Sequence, residues 1–133
     1  MDIKKVVVIG SGTMGSGIAA HLCNAKIPVT LLDLTTEISE KARDRIFKSK
    51  PPLLLDKSKV DNIKVGNIND NFDVVKDADW IVEAVVERID IKHNIYEKIF
   101  KNRKDGAIVS SNTSSIPIKV LSEKLNPEEK KDF

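Results

Sequence analysis

Four short stretches, residues 6–9, 29–32, 81–86 and 107–109, are apolar almost without a break, Glu83 being the charged exception in the third. A strand with one face in water alternates apolar and polar side chains. A continuously apolar strand has both faces covered, as in a parallel sheet between helical layers. The segments between these runs carry helical spacing. Ile18, Leu22 and Ala25 share one face of a first helix, expected to pack on the sheet and to stop before Pro28. Thr36 is expected to cap a second helix that runs through Ile46 and Phe47 until Pro51 and Pro52 end it. Asp90 is expected to cap a third, with Ile91, Ile95 and Ile99 toward the sheet and Lys92, Asn94, Glu97 and Lys98 toward water. Pro117 suits the first turn of a last, short helix, residues 63–65 form a weaker strand candidate, and residues 67–73 read as turn. Alternation of strand and helix predicts an α/β fold with a doubly wound parallel sheet, since right-handed crossovers lay helices on both faces.

The length of 133 residues suits one domain, 1–133, with one core. Lysine and arginine number 22 against 20 acidic residues, interspersed, so no nucleic-acid surface is expected. Cys23 is the only cysteine, which excludes an internal disulfide and a CxxC metal site and fits a reducing, cytoplasmic compartment. No apolar run is long enough for a membrane span or a signal peptide, and no metal site is expected.

Gly10, Ser11, Gly12, Thr13, Met14 and Gly15 follow the first apolar run and open the first helix, the context a dinucleotide fingerprint requires. Gly10 allows the tight turn, Gly12 lets a pyrophosphate approach the backbone, and Gly15 lets helix and strand pack closely, so that the anion meets the free N–H groups of the helix start. Asp33 ends the second run, where its carboxylate can accept from two ribose hydroxyls and repel a 2′-phosphate. Leu34, Thr35 and Thr36 supply no arginine for such a phosphate, so NAD is expected rather than NADP. The fold is thus expected to be Rossmann-type.

Two further segments end predicted strands: Ile81, Val82, Glu83, Ala84, Val85, Val86, Glu87, and the serine-rich Ser110, Ser111, Asn112, Thr113, Ser114, Ser115. With the glycine loop and Asp33, they resemble the N-terminal domain of the 3-hydroxyacyl-CoA dehydrogenases, and the Asp79-Trp80 lead-in resembles the long multidomain bacterial members. The resemblance implies hydride transfer from L-3-hydroxyacyl-CoA to NAD, giving 3-oxoacyl-CoA, in fatty-acid beta-oxidation. It implies that Glu87 and Lys92 contact the nicotinamide half of NAD, and that Ser114 hydrogen-bonds the substrate's 3-oxygen or thioester region with Asn112 nearby. Ser115 reads instead as a helix cap, and Glu83 has no assigned role.

The resemblance also places a histidine base and its orienting glutamate after the serine-rich segment, the histidine in an H-F-F-N-P-like strand. Phe133 precedes that strand, so the expectation is a sheet truncated before its sixth strand, without that pair or the substrate and dimerisation domain, and inactive alone. His21, among packing residues, and His93, on an exposed side, are not expected to replace the base, and Cys23 reads as a small packed hydrophobe. The bare edge of the fifth strand is expected to drive self-association or to await a C-terminal domain, residues 126–133 being too charged to cover it. A free-standing NAD-binding module and a related Rossmann hydroxy-acid dehydrogenase remain as alternatives.

Overall fold

Side chains alternate along a strand, so an apolar run feeds a core on each face of the sheet, and two cores form where one was expected. The computed structural model describes residues 2–133. In it, β1 (Val6–Ile9) sends Val6 and Val8 to one face and Val7 and Ile9 to the other, all buried. β2 (Val29–Asp33), β3 (Ile63–Asn67), β4 (Trp80–Glu83) and β5 (Ile108–Ser111) complete an all-parallel sheet in the order β3-β2-β1-β4-β5. α1 (Thr13–Asn24) and α2 (Thr36–Lys48) cover one face with Ala19, Ala20, Leu22, Ala42 and Ile46. α3 (Ile89–Asn102) covers the other with Ile95, Tyr96 and Ile99, while α4 (Ile118–Leu121) adds Leu121. The doubly wound α/β fold is as expected, and β1 and β4 flank the point where the winding reverses, the crevice in which such sheets take ligands.

Several local expectations are corrected. Thr35, not Thr36, caps α2: its extended backbone lets Oγ1 accept from Ile38 N at 3.2 Å. Arg88 is the N-cap position of α3, and Asp90, already inside the helix, pairs with Arg88 at 3.0 Å. Ala25 lies past the end of α1 and is exposed, because Lys26 turns the chain with φ +63°. The sheet-facing stripe of α1 keeps Leu22 and is otherwise made of Gly15, Ser16, Ala19 and Ala20, small residues that allow close approach. Lys92 does not face water: its side chain is wholly buried. His93 is no surface residue either, its side chain being 8% exposed with Nε2 2.9 Å from the Val120 oxygen. His21 is exposed rather than packed, whereas Cys23 does border the α1 and α2 core.

The edge of β5 is covered, against expectation. α5 (Pro127–Lys130) is held by a capping box between Asn126 and Glu129 that organises the charged segment. Beyond it, Val109 N donates to Asp132 O at 2.8 Å, Arg103 Nη1 bonds the Asp132 carboxylate at 2.7 Å, and Phe133 packs edge-on against Tyr96. The charges of residues 128–131 stay outside while main chain and one aromatic ring turn inward. The bare β5 edge expected to drive self-association is therefore occupied by the chain's own C-terminal segment.

Asp79, just before β4, ties the N-terminal segment to this sheet by accepting from Lys4 N at 2.8 Å, Lys5 N at 3.0 Å and Lys104 Nζ at 2.5 Å. The Lys104 hydrogen bond, then those from the backbone, hold its carboxyl down at about 2. A carboxyl whose pKa is lower in the folded state stabilises above its unfolded pKa, about 3.9, and loses that contribution as pH falls through the folded value. Denaturation midpoints should therefore fall between about pH 4 and pH 2, with a shallower fall in Asp79→Asn.

Candidate functional site

Gly10 and Gly15 are required by close packing. Gly10 has φ +106°, and a Cβ there would lie 2.4 Å from the Ala84 carbonyl oxygen. A Cβ on Gly15 would lie 1.8 Å from the Gly10 oxygen, so these two glycines bring the start of α1 down onto β1 and the β4 exit. Gly12 meets nothing within 4 Å, so its surroundings are open to a ligand. No side chain caps α1 and no acid stands in its first turn, so the positive end of the helix dipole faces outward unneutralised. Thr13 and Met14 are exposed there, Met14 by 61%.

Asp33 stands beside this loop. Its Oδ2 accepts from Ser11 N at 2.8 Å and Ser11 Oγ at 2.5 Å, and its Oδ1 from Leu34 N at 2.7 Å. A carboxylate offers about four lone-pair positions, so a diol could join only if the Ser11 hydroxyl turned away. Arg45 of α2 donates to Ser11 O at 3.0 Å. Leu34, Thr35 and Thr36 hold no arginine, but one arrives here from the third turn of the following helix.

Across the crevice, the β4 exit carries a buried ionic cluster. Glu83 is wholly buried and accepts from Val85 N at 2.9 Å, Lys92 Nζ at 2.5 Å, Tyr96 Oη at 2.5 Å and Ser111 Oγ at 2.6 Å. Burial first, and then the Glu83 hydrogen bond, push the Tyr96 phenol far above its ordinary range. Lys92 also pairs with Glu87 Oε1 at 3.0 Å. The other oxygen of Glu87 gathers the serine-rich loop: Thr113 Oγ1 at 2.9 Å, Ser115 Oγ at 2.7 Å, Ser115 N at 3.1 Å and Ser114 N at 3.3 Å. The Ser115 hydroxyl and then Lys92 hold the Glu87 carboxyl well below the usual carboxylate range.

The site residues named from sequence thus gather at the carboxyl ends of β1, β2, β4 and β5, with Lys92 reaching the β4 end from α3. Ser114 is exposed, and Asn112 N continues the sheet ladder to Glu83 O at 2.8 Å. Ser115 is not a helix cap but a tether to Glu87, because Thr113 Oγ1 takes the local turn bond from Ile116 N at 3.1 Å. The hub role of Glu83 was missed. A carboxylate in an apolar strand, nine residues before a lysine on the following helix, was its available signal.

Residues 5–132 match the family described as 3-hydroxyacyl-CoA dehydrogenase, NAD binding domain. A putative fatty acid oxidation complex trifunctional enzyme of Rickettsia felis is 42% identical over 99% of the chain, which spans 19% of that relative. A probable 3-hydroxyacyl-CoA dehydrogenase of Deinococcus radiodurans is 42% identical over 89% of the chain and 36% of its own length. Among solved structures, 3-hydroxybutyryl-CoA dehydrogenase from Escherichia coli K12 superposes with a TM-score of 0.80 at 25% identity, over 96% of this chain and 28% of that one.

Proposed function

Because the chain belongs to the 3-hydroxyacyl-CoA dehydrogenase family, as its NAD binding domain, we propose that it binds NAD and forms the cofactor side of a site that oxidises L-3-hydroxyacyl-CoA. The observation that carries this reading is the uncapped start of α1 beside the open backbone of Gly12, with Asp33 at the neighbouring strand end. An anion fits the helix start and a diol fits the carboxylate. Gly10, Gly12, Thr13, Met14 and Gly15 form the pyrophosphate cradle, and Asp33 takes the adenosine ribose. Glu87 and Asn112 line the nicotinamide end. Lys92, being buried, acts there through Glu87 rather than by direct contact.

NAD, when bound, supplies the hydride acceptor. Ser114, exposed beside Glu87, is proposed to hydrogen-bond the acyl-CoA near its 3-oxygen or thioester. A base must take the 3-hydroxyl proton as hydride leaves. His21 is exposed on α1 and the Nε2 of His93 is engaged with Val120 O, so neither is assigned that role. The chain alone is therefore predicted to produce no NADH from 3-hydroxybutyryl-CoA. Protein-dependent NADH formation that disappears in Ser114→Ala would refute this division of labour. We place the protein in a reducing, cytoplasmic setting on the strength of its one, unpaired thiol; among the described residues, no helix is long and apolar enough to cross a membrane.

Calorimetric titration tests the cofactor reading. NAD should bind at least about tenfold more tightly than NADP, the worth of one 1.4 kcal/mol discrimination. Asp33→Ala should narrow that ratio, since it removes the repulsion of a 2′-phosphate and leaves Arg45 near Ser11 O. Equal affinity for the two cofactors in the unmodified chain would refute the reading of Asp33.

A further inference from the structure

We propose that Glu83 is a positioning residue for the serine-rich loop after β5: by engaging Lys92 from the buried side, it leaves the Glu87 carboxylate to hold Thr113, Ser114 and Ser115 in place. The proposal rests on the reading of that loop as the nicotinamide and substrate side of the site. Its physical basis is the division of contacts. All four lone-pair positions of Glu83 are filled, by Lys92 and Tyr96 from α3, Ser111 from β5 and Val85 N from the β4 exit, so the carboxylate is locked. Lys92 lies between two carboxylates, 2.5 Å from Glu83 and 3.0 Å from Glu87. One cation set against two anions leaves a net negative charge, and it is Glu87, 32% exposed in its side chain, that turns its second oxygen toward the loop.

With Glu83 neutral, Lys92 has Glu87 as its one carboxylate partner among these groups. In a water-poor interior that attraction strengthens and draws Glu87 inward, away from the loop. Four hydrogen bonds to Glu87 Oε2 are then loosened without any change in β4 itself. Removing Lys92 as well abolishes the inward pull, so the loop contacts return. A merely structural Glu83 would loosen the strand and its surroundings alike, and a second lesion would not repair the first.

Amide hydrogen exchange on the ligand-free chain, compared with Glu83→Gln, Glu83→Gln/Lys92→Met and Tyr96→Phe, tests this. In Glu83→Gln the Ser114 and Ser115 amides should exchange about tenfold faster, a change equivalent to 1.4 kcal/mol, while Ile81 and Val82 in β4 keep their protection. The double variant should return the two loop amides toward the original rate. Tyr96→Phe, which removes one donor to Glu83, should accelerate the same amides by a smaller factor and serves as the deciding variant if the substitutions at Glu83 do not fold. Unchanged loop exchange in a folded variant, equal acceleration of strand and loop, or no recovery in the double variant overturns the proposal. Titration of the same proteins with NAD separates the two readings: failure of the unmodified chain to bind NAD sinks the cofactor assignment, and the exchange result still decides the role of Glu83.

Discussion

Lys92→Met is expected to destabilise the fold by about 3–5 kcal/mol near neutral pH, the cost of breaking a buried ion pair from one side. The lysine side chain has no solvent exposure, and Glu83, 2.5 Å away, has none either. Without the ammonium, a wholly buried carboxylate faces Glu87 across the position Lys92 held, with no cation left to offset its desolvation. Guanidinium unfolding of Lys92→Met against the unmodified chain checks the magnitude. Adding Glu83→Gln should recover much of the loss, because the charge left without a partner is removed with it. No recovery in the double variant would show that lost packing of the lysine stem, not the orphaned carboxylate, dominates.

Gly15→Ala is the second substitution expected to act strongly, at about 3 kcal/mol or more, the upper range for forcing extra volume into a packed region. Its Cβ would fall 1.8 Å from the Gly10 carbonyl oxygen, a backbone atom in a turn already committed to φ +106°. Relief requires lifting the start of α1 from β1, which also spoils the anion site, so stability and NAD affinity should fall together. Two neighbouring glycines supply the contrast. At Gly12 and Gly17 an added Cβ meets nothing within 4 Å. Gly17→Ala, inside α1, should be neutral or stabilising by up to about 1 kcal/mol, the helix preference of alanine over glycine. Gly12→Ala should leave stability within about 0.5 kcal/mol and weaken NAD binding, since its methyl would occupy the space proposed for the pyrophosphate. Thermal unfolding with and without NAD distinguishes the three glycines.

The layout of this protein is legible in its sequence because short-range rules govern it. Continuous apolar runs demand a sheet covered on both sides, and the glycine spacing after β1 demands a close helix start; both are present. Asp33 could be placed at the end of β2 because strand length alone puts it there. Cap positions slipped by a residue or two because they depend on backbone angles that several neighbouring polar residues can satisfy, as with Thr35 against Thr36. Other features needed the tertiary structure, because their partners are distant along the chain. Lys92 looked solvent-facing on its helix, yet its side chain is taken inward by Glu83, nine residues earlier on β4. Asp132, 23 residues beyond Val109, covers an edge that composition marked as bare, since a charged segment can turn its main chain inward and its charges out. Periodicity reports which face a side chain leaves from; only the packed chain decides whether a buried carboxylate waits on that face to receive it.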